Sequence, residues 1–256
     1  MFFTRNNVYK KIILYFMTLK YKNTSIRFYD NQPDIIHQFK TMLKHVDTIY
    51  IPDKPNKSIL KQSTPKEFTK EFLKTYPNNT FAKYLLSLRN NERSINMGFS
   101  LHNAEDLLKW SFSTIRNKVA IFDWDGTLSV AEGIILPTNP IDTLNFHKMG
   151  INYRDIAIYY CGSEYRFLWL KYMFEVLHKQ KVDIYVLTNN PMAAKNMNLI
   201  KLVGLGFLAR FNFYNVIKQI IPHFQEENLL CGYETQGIKP QTFMNVPYLN
   251  ELYSNI

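Results

Sequence analysis

Two runs of mostly consecutive apolar residues constrain the fold of this chain most strongly. They cover residues 119–122 (Val-Ala-Ile-Phe) and residues 182–187 (Val-Asp-Ile-Tyr-Val-Leu). Such runs are typical of strands covered by helices on both faces, because a strand with one face in water alternates apolar and polar residues. Further elements are expected around them: helices at 164–178 and 192–203, a β-prone stretch at 207–217 and a strand at 228–232. The alternation predicts an α/β fold with a Rossmann-like open parallel sheet and helices on both faces.

A strand–helix–strand unit is predicted near the start of the chain. Residues 25–29 alternate as a strand does, apolar residues recur at helical spacing over 35–46, and residues 48–51 are again β-prone. Two strands joined by one helix are expected to pair in parallel.

Four segments follow from these patterns. An extension covers residues 1–23, the strand–helix–strand unit covers 24–52, a basic helical insertion covers 53–117, and the core covers 118–256. Hydrophobic residues make up 46% of the chain and aromatic residues 15%, which excludes a disordered chain and allows a sizeable core.

Positive charge is concentrated in the first half of the chain. Residues 1–117 carry 19 Lys and Arg against 9 Asp and Glu, whereas residues 118–256 carry 12 of each kind. This asymmetry indicates an anionic partner such as nucleic acid, although a solvated lysine-rich helical surface would give the same count. The oligomeric state does not follow from the sequence.

No membrane span or disulfide scaffold is expected. The longest early apolar run, residues 12–19, is too short to cross a bilayer. Cys161 and Cys231 are 70 positions apart and form no Cys-x-x-Cys pair, which favours a reducing compartment. We therefore expect a cytoplasmic protein without a membrane partner.

The residues that carry chemistry follow the first apolar run, as Asp123-Trp124-Asp125-Gly126-Thr127-Leu128. Carboxylates just past a buried strand lie in the crevice where open α/β sheets bind ligands. Asp123 is suited to attack phosphorus as a nucleophile, and Asp125 to protonate the leaving oxygen and then deprotonate water. Gly126, directly after Asp125, allows the chain to turn sharply there.

This string resembles motif I of the haloacid dehalogenase-like (HAD) phosphohydrolases. Thr188 and Asn189, directly after the second run, resemble motif II, which holds the phosphoryl group. Lys239, in Gly-Ile-Lys-Pro, resembles the motif III lysine that offsets negative charge. The resemblance implies hydrolysis of a phosphomonoester through an aspartyl-phosphate, with Mg²⁺ as cofactor.

The family's fourth motif, a strand followed by an acidic pair, is missing after Lys239. Residues 25–36 offer a candidate, with Asp30 and Asn31 after a strand and Pro33 at the start of a helix. We therefore expect a circular permutation in which the fourth and fifth strands of the domain come first. The alternative is that residues 24–52 belong to a separate basic domain.

The resemblance then implies a Mg²⁺ site made of Asp123, the backbone carbonyl of Asp125, Asp30 and Asn31. In this family a cap domain largely sets substrate specificity, and here we expect it to be small or missing. An uncovered crevice suits a bulky substrate, such as a phosphoprotein or a nucleic-acid 3′ end. Residues 53–117 would serve as the cap or as a basic docking surface. The main alternative is a weakly active or inactive HAD-like protein that binds nucleic acid or an assembly, and a phosphotransferase is a third reading.

Overall fold

The computed structural model describes residues 25–42, 46–52, 65–88, 95–114 and 118–232. Its five strands form one parallel sheet. The strands are β1 (Ser25–Asp30), β2 (Val46–Tyr50), β3 (Lys118–Phe122), β4 (Val182–Thr188) and β5 (Leu229–Cys231). The helices are α1 (Pro33–Met42), α2 (Pro65–Thr75), α3 (Thr80–Ser87), α4 (Leu101–Ser111), α5 (Pro140–Lys148), α6 (Tyr153–Cys161), α7 (Glu164–Lys179), α8 (Met197–Leu202) and α9 (Ala209–Ile220). The α/β class and the parallel sheet predicted from the sequence are confirmed.

The spatial order of the strands is β2-β1-β3-β4-β5. This is the 2-1-3-4-5 order of doubly wound sheets, in which the chain changes direction across the sheet between β1 and β3. Ligands bind outside the carboxyl ends of the strands at such a switch point. The first strand–helix–strand unit therefore belongs to the same sheet as the core, with β2 at its edge.

Apolar side chains cover both faces of the central strand β3, as its apolar run predicts. Val119 and Ile121 pack with α1 residues on one face. Ala120 and Phe122 join the larger cluster on the other face. On that larger face the Tyr29 ring stacks on the Phe122 ring, with centroids 5.0 Å apart and planes 8° apart.

The described part of the predicted insertion helps to build this core. Phe81 and Leu85 of α3 and Leu107 of α4 are buried in the larger cluster. Phe99, just before α4, lies edge-on to Tyr29 and Phe122, with centroid distances of 5.2 and 5.5 Å. Residues 95–114 thus pack on the sheet itself, whereas residues 65–88 pack against helix α6.

The largest correction concerns residues 207–217, which were expected to be β-prone but lie mostly in helix α9. The buried residues Phe213, Val216, Ile217 and Ile220 recur at helical spacing. Packing of this face against α6 and α7 outweighs the β propensity of the aromatic and β-branched residues.

Two helices, α5 and α6, occupy a region that the sequence suggested was turn-rich or left unassigned. Each begins at an asparagine cap, because the side chains of Asn139 and Asn152 accept hydrogen bonds from the backbone N–H groups of Asp142 and Asp155. The helix expected at 192–203 is shorter, consisting of a single turn at Pro191–Ala193 and then α8.

Other expected features lie outside the described residues. They are the extension at 1–23, parts of the insertion (53–64, 89–94 and 115–117), and everything after residue 232, including Lys239. Among the helices that the structure describes, none combines the length and the apolarity needed to pass through a bilayer.

We expect Phe99→Ala to lower the free energy of unfolding by about 3–4 kcal/mol, because it removes a ring enclosed between Tyr29 and Phe122. Phe112→Ala is the matched control, since Phe112 ends α4 and is 63% exposed, and should cost less than about 1 kcal/mol. Urea denaturation measures both values. Equal losses would show that the inserted segment is not part of the sheet's core.

Candidate active site

Strand pairing brings Asp30 and Asp123 to the same edge of the sheet. β1 and β3 are in register up to the pair Tyr29 and Phe122, so Asp30 and Asp123 occupy the next positions. The Asp123 N–H donates to the Tyr29 carbonyl at 3.0 Å, which continues the ladder to this point. Neighbouring strands lie about 4.8 Å apart. Two acids 93 positions apart in sequence therefore end adjacent strands, and both are buried, at 0% and 3% exposure.

The loop Trp124–Leu128 turns the chain sharply after Asp123. Gly126 has a φ of 72°, in the left-handed region that glycine adopts without strain. The Trp124 ring is fully buried against Tyr160 and Phe213. The ring thus packs in the core, although Trp124 stands in the sequence between two acids, of which Asp125 is half-buried.

Asn31 lies against this loop. A Cβ built on Gly126 would overlap the side-chain amide of Asn31 and would lie 2.7 Å from the amide nitrogen of Asn96. A glycine at this position therefore lets two asparagine side chains approach the loop. One of them, Asn31, is a residue predicted for the site, and the other comes from the segment between α3 and α4.

Backbone N–H groups orient two of the carboxylates. The Gln32 N–H donates to Asp30 Oδ1 at 2.8 Å, and the Gly133 N–H donates to Asp125 Oδ1, also at 2.8 Å. The Asp30 and Asp125 side chains are thus each held in place by a backbone N–H group.

The end of β4 contributes Thr188, Asn189 and Asn190. Thr188 is fully buried, and its Oγ1 accepts a hydrogen bond from the Asn190 N–H at 3.0 Å. Because the oxygen is the acceptor in that bond, the hydroxyl proton can be donated to an anion. The Asn189 Oδ1 is buried and has no hydrogen-bond partner among the described residues.

Arg166 ties the motif loop to the rest of the molecule. Its guanidinium donates hydrogen bonds to the carbonyls of Phe99, Thr127, Leu128 and Cys161, at 2.7–3.3 Å. Burial lowers the pKa of this guanidinium. Carbonyl groups at the end of a loop need donors when they are buried, and Arg166 supplies them for both Thr127 and Leu128.

The thiol of Cys161 has no role as a nucleophile in this arrangement. Its residue is completely buried, and burial raises the pKa of the thiol to about 12. The reactive thiolate is therefore scarce near neutral pH. Both Cys161 and Cys231 are free and buried.

The oxygen donors at the strand ends fit the Mg²⁺ that the sequence predicts. Mg²⁺ is bound by one or two carboxylates and keeps several waters. Asp30 and Asp123 are buried at neighbouring positions on adjacent strands. The Asn31 side chain lies against the loop that carries the Asp125 carbonyl. Within the described ranges no three His, Cys, Asp or Glu side chains form a metal-binding group, and this predicted donor set contains only two neighbouring carboxylates.

The structure thus brings together Asp30, Asn31, Asp123 and Asp125 where β1 and β3 end. Thr188 is the last residue of the next strand, β4, and Asn189 follows it. Lys239 lies outside the described residues, so its predicted role stays a prediction.

Sequence reasoning missed Asn96, Glu132, Gly133 and Arg166. Arg166 had a usable signal, because it stands four residues before the buried Leu170 and seven before the buried Met173, on the apolar face of α7. Asn96 had none, since it lies in an irregular segment whose position depends on tertiary packing.

Comparison of the chain with protein-family models, with curated proteins and with solved structures finds no match. The HAD-like resemblance therefore rests on the motifs and on the arrangement of the residues that they name.

Gly126→Ala should lower the free energy of unfolding by more than the cost of placing an alanine at a positive φ. Gly204→Ala is the control, because Gly204 has the same φ of 72° and an added Cβ would have no atom within 4 Å. The control should cost about 1 kcal/mol, and Gly126→Ala about 1–3 kcal/mol more because of its overlap with Asn31 and Asn96. Urea denaturation of both variants checks this, and equal costs would mean that the close approach is wrong.

Arg166→Met should lower the free energy of unfolding by about 3 kcal/mol, since it leaves buried carbonyls without donors. Arg154→Met, which removes a half-exposed arginine paired with Glu164, should cost less than about 1 kcal/mol. Thermal and urea unfolding compare the two. A loss for Arg166→Met no greater than for Arg154→Met would contradict the tethering role.

Proposed function

We propose that this chain is a Mg²⁺-dependent phosphatase of the HAD-like kind that hydrolyses a phosphomonoester. The observation that carries the proposal is the parallel pairing of β1 with β3, which sets Asp30 beside Asp123 at the switch point of the sheet. A separate basic domain, the alternative for residues 24–52, would not require these two acids to meet.

The proposed reaction uses two carboxylates in sequence. Asp123 forms a bond to phosphorus as the bond from phosphorus to the ester oxygen breaks, and Asp125 gives a proton to that leaving oxygen. Asp125, now ionised, takes a proton from a water that attacks the aspartyl-phosphate. Inorganic phosphate leaves, Asp123 is again a carboxylate, and Asp125 is again protonated.

Other residues of the site hold the phosphoryl group. The Thr188 hydroxyl, whose oxygen already accepts from the Asn190 N–H, donates its proton to a phosphoryl oxygen. In the HAD-like pattern the backbone after this threonine, at Asn189, also binds the group, and Lys239 offsets its negative charge.

Asp123, Asp30, Asn31 and the Asp125 carbonyl are the residues that would hold Mg²⁺. When bound, the cation offsets the repulsion between an anionic nucleophile and an anionic phosphate. Asn31 supplies a neutral amide where the family pattern has an acid, so weaker binding of the cation is expected.

The permuted order of strands is part of the proposal. In the HAD-like pattern the strand with the fourth motif is followed by a helix and an edge strand, and here β1 is followed by α1 and the edge strand β2. Such a rearrangement is tolerated because the termini of domains often lie close together.

A bulky substrate is favoured because the described segment between the motif loop and α7 is short, which leaves little room there for a cap. The segment between the motif loop and α7 contains α5 and α6, and α6 is packed into the core against α3, α7 and α9. A phosphoprotein or a nucleic-acid 3′ end fits an open crevice, and the basic first half of the chain fits an anionic substrate.

Hydrolysis of 4-nitrophenyl phosphate tests the proposal. Turnover should require Mg²⁺ and be lost with EDTA, and Asp123→Asn should lower it by about 10³-fold or more. Asp125→Asn should release about one equivalent of nitrophenolate in a burst, because this good leaving group needs little proton donation whereas the hydrolysis of the aspartyl-phosphate needs the base.

Asp106→Asn, at an exposed position on α4, is the control and should leave turnover unchanged. The same assays extend to a phosphopeptide and to an oligonucleotide with a 3′ phosphate. Wild-type turnover no higher than that of Asp123→Asn on all three substrates would reject the phosphatase and leave the non-catalytic binding function.

A further inference from the structure

We infer that Asn96 is a positioning residue, supplied by the inserted segment, that fixes the proposed general acid and base Asp125. The inference rests on the proposed function for its catalytic consequence, but the positioning itself is a property of the fold. No motif in the sequence includes Asn96.

The backbone around Asn96 runs antiparallel to the chain that follows the motif loop. The Phe99 N–H donates to the Thr127 carbonyl at 2.7 Å, and the Asn96 N–H donates to the Val130 carbonyl at 2.6 Å. An isolated antiparallel bridge joins Ile95 to Ala131. The inserted segment therefore holds the chain from Thr127 to Ala131.

The Asn96 side chain also contacts Glu132, the residue that follows Ala131. Its Nδ2 donates to Glu132 Oε1 at 3.0 Å. The peptide that joins Glu132 to Gly133 carries the N–H that donates to Asp125 Oδ1 at 2.8 Å. Because the peptide unit is planar, rotation about the Glu132 Cα–C bond sets the direction of this N–H, and a Glu132 held by Asn96 and by the bridge at Ala131 has less freedom for that rotation.

Gly133 has little packing of its own to fix that peptide. It is exposed, its φ is 65°, and a Cβ built on it would have no atom within 4 Å. The Asn96–Glu132 hydrogen bond and the neighbouring bridge hold the Glu132 side of this peptide, and the Tyr160 hydroxyl donates to the Gly133 carbonyl at 3.4 Å on its other side. A general acid must be held within hydrogen-bond reach of the leaving oxygen, and a shift of 1 Å can cost about 100-fold in rate.

Asn96→Ala tests the inference, with Asn103→Ala as the matched control. Asn103 is an amide of the same segment that caps α4 through Ser100. With 4-nitrophenyl phosphate and Mg²⁺, Asn96→Ala should lower kcat about tenfold or more and change KM less than about twofold. The control should leave both constants within about twofold of wild type.

An exchange of partners separates the hydrogen bond from a general packing effect. Asn96→Asp places a carboxylate against Glu132 and should lower kcat at least as much as Asn96→Ala. Glu132→Gln supplies an amide donor, so the double variant should recover most of the lost kcat. No recovery would mean that the pair does not act through this hydrogen bond, and the inference would fail.

Hydrogen exchange of the Gly133 amide, followed by NMR, needs no activity. We expect exchange about tenfold faster or more in Asn96→Ala and unchanged exchange in Asn103→Ala, because only the first variant frees the N–H from Asp125. Equal rates in wild type and Asn96→Ala overturn the inference. If wild type shows no Asp123-dependent turnover, the proposed function fails, and the exchange rates still decide whether Asn96 positions Asp125.

Discussion

The parallel ladder between β1 and β3 is the interaction on which the rest of the structure depends. It places β1 inside the sheet, with β2 on one side and β3 on the other. It also stacks Tyr29 on Phe122, and Phe99 packs edge-on to both rings. The same register sets Asp30 beside Asp123, so one set of backbone hydrogen bonds organises both the core and the candidate site.

Around this ladder, the site is held mainly by backbone groups and by side chains that bind them. Donors from Gln32 and Gly133 orient the Asp30 and Asp125 carboxylates, and Arg166 satisfies the carbonyls of the motif loop. Such a shell restricts the motion of acids that must keep fixed distances to a substrate. The inserted segment belongs to this shell, because it pairs directly with the chain after the loop.

The sheet and the strand-end acids could be predicted from the sequence because their signals are local. An apolar run marks a strand buried on both faces, and a parallel sheet gathers the residues that follow its strands at one edge. Helix α9 was missed because its aromatic and β-branched residues favour a strand until the packing of α6 and α7 is known. Asn96 and Gly133 were missed because irregular segments acquire their positions from distant contacts, which a local pattern does not record. The roles of Lys239 and of Mg²⁺ stay predictions.

The separation of β1 from β3 along the chain has a consequence for how this protein folds as it is synthesised. β1, α1 and β2 leave the ribosome first and can form a local unit, but the partner of β1 in the centre of the sheet is translated 93 residues later. Contacts this distant in sequence slow folding, since the closure of a long loop precedes their gain in free energy. In the interval the edge of β1 that later pairs with β3 is unpaired, and unpaired strand edges are prone to pair with other chains.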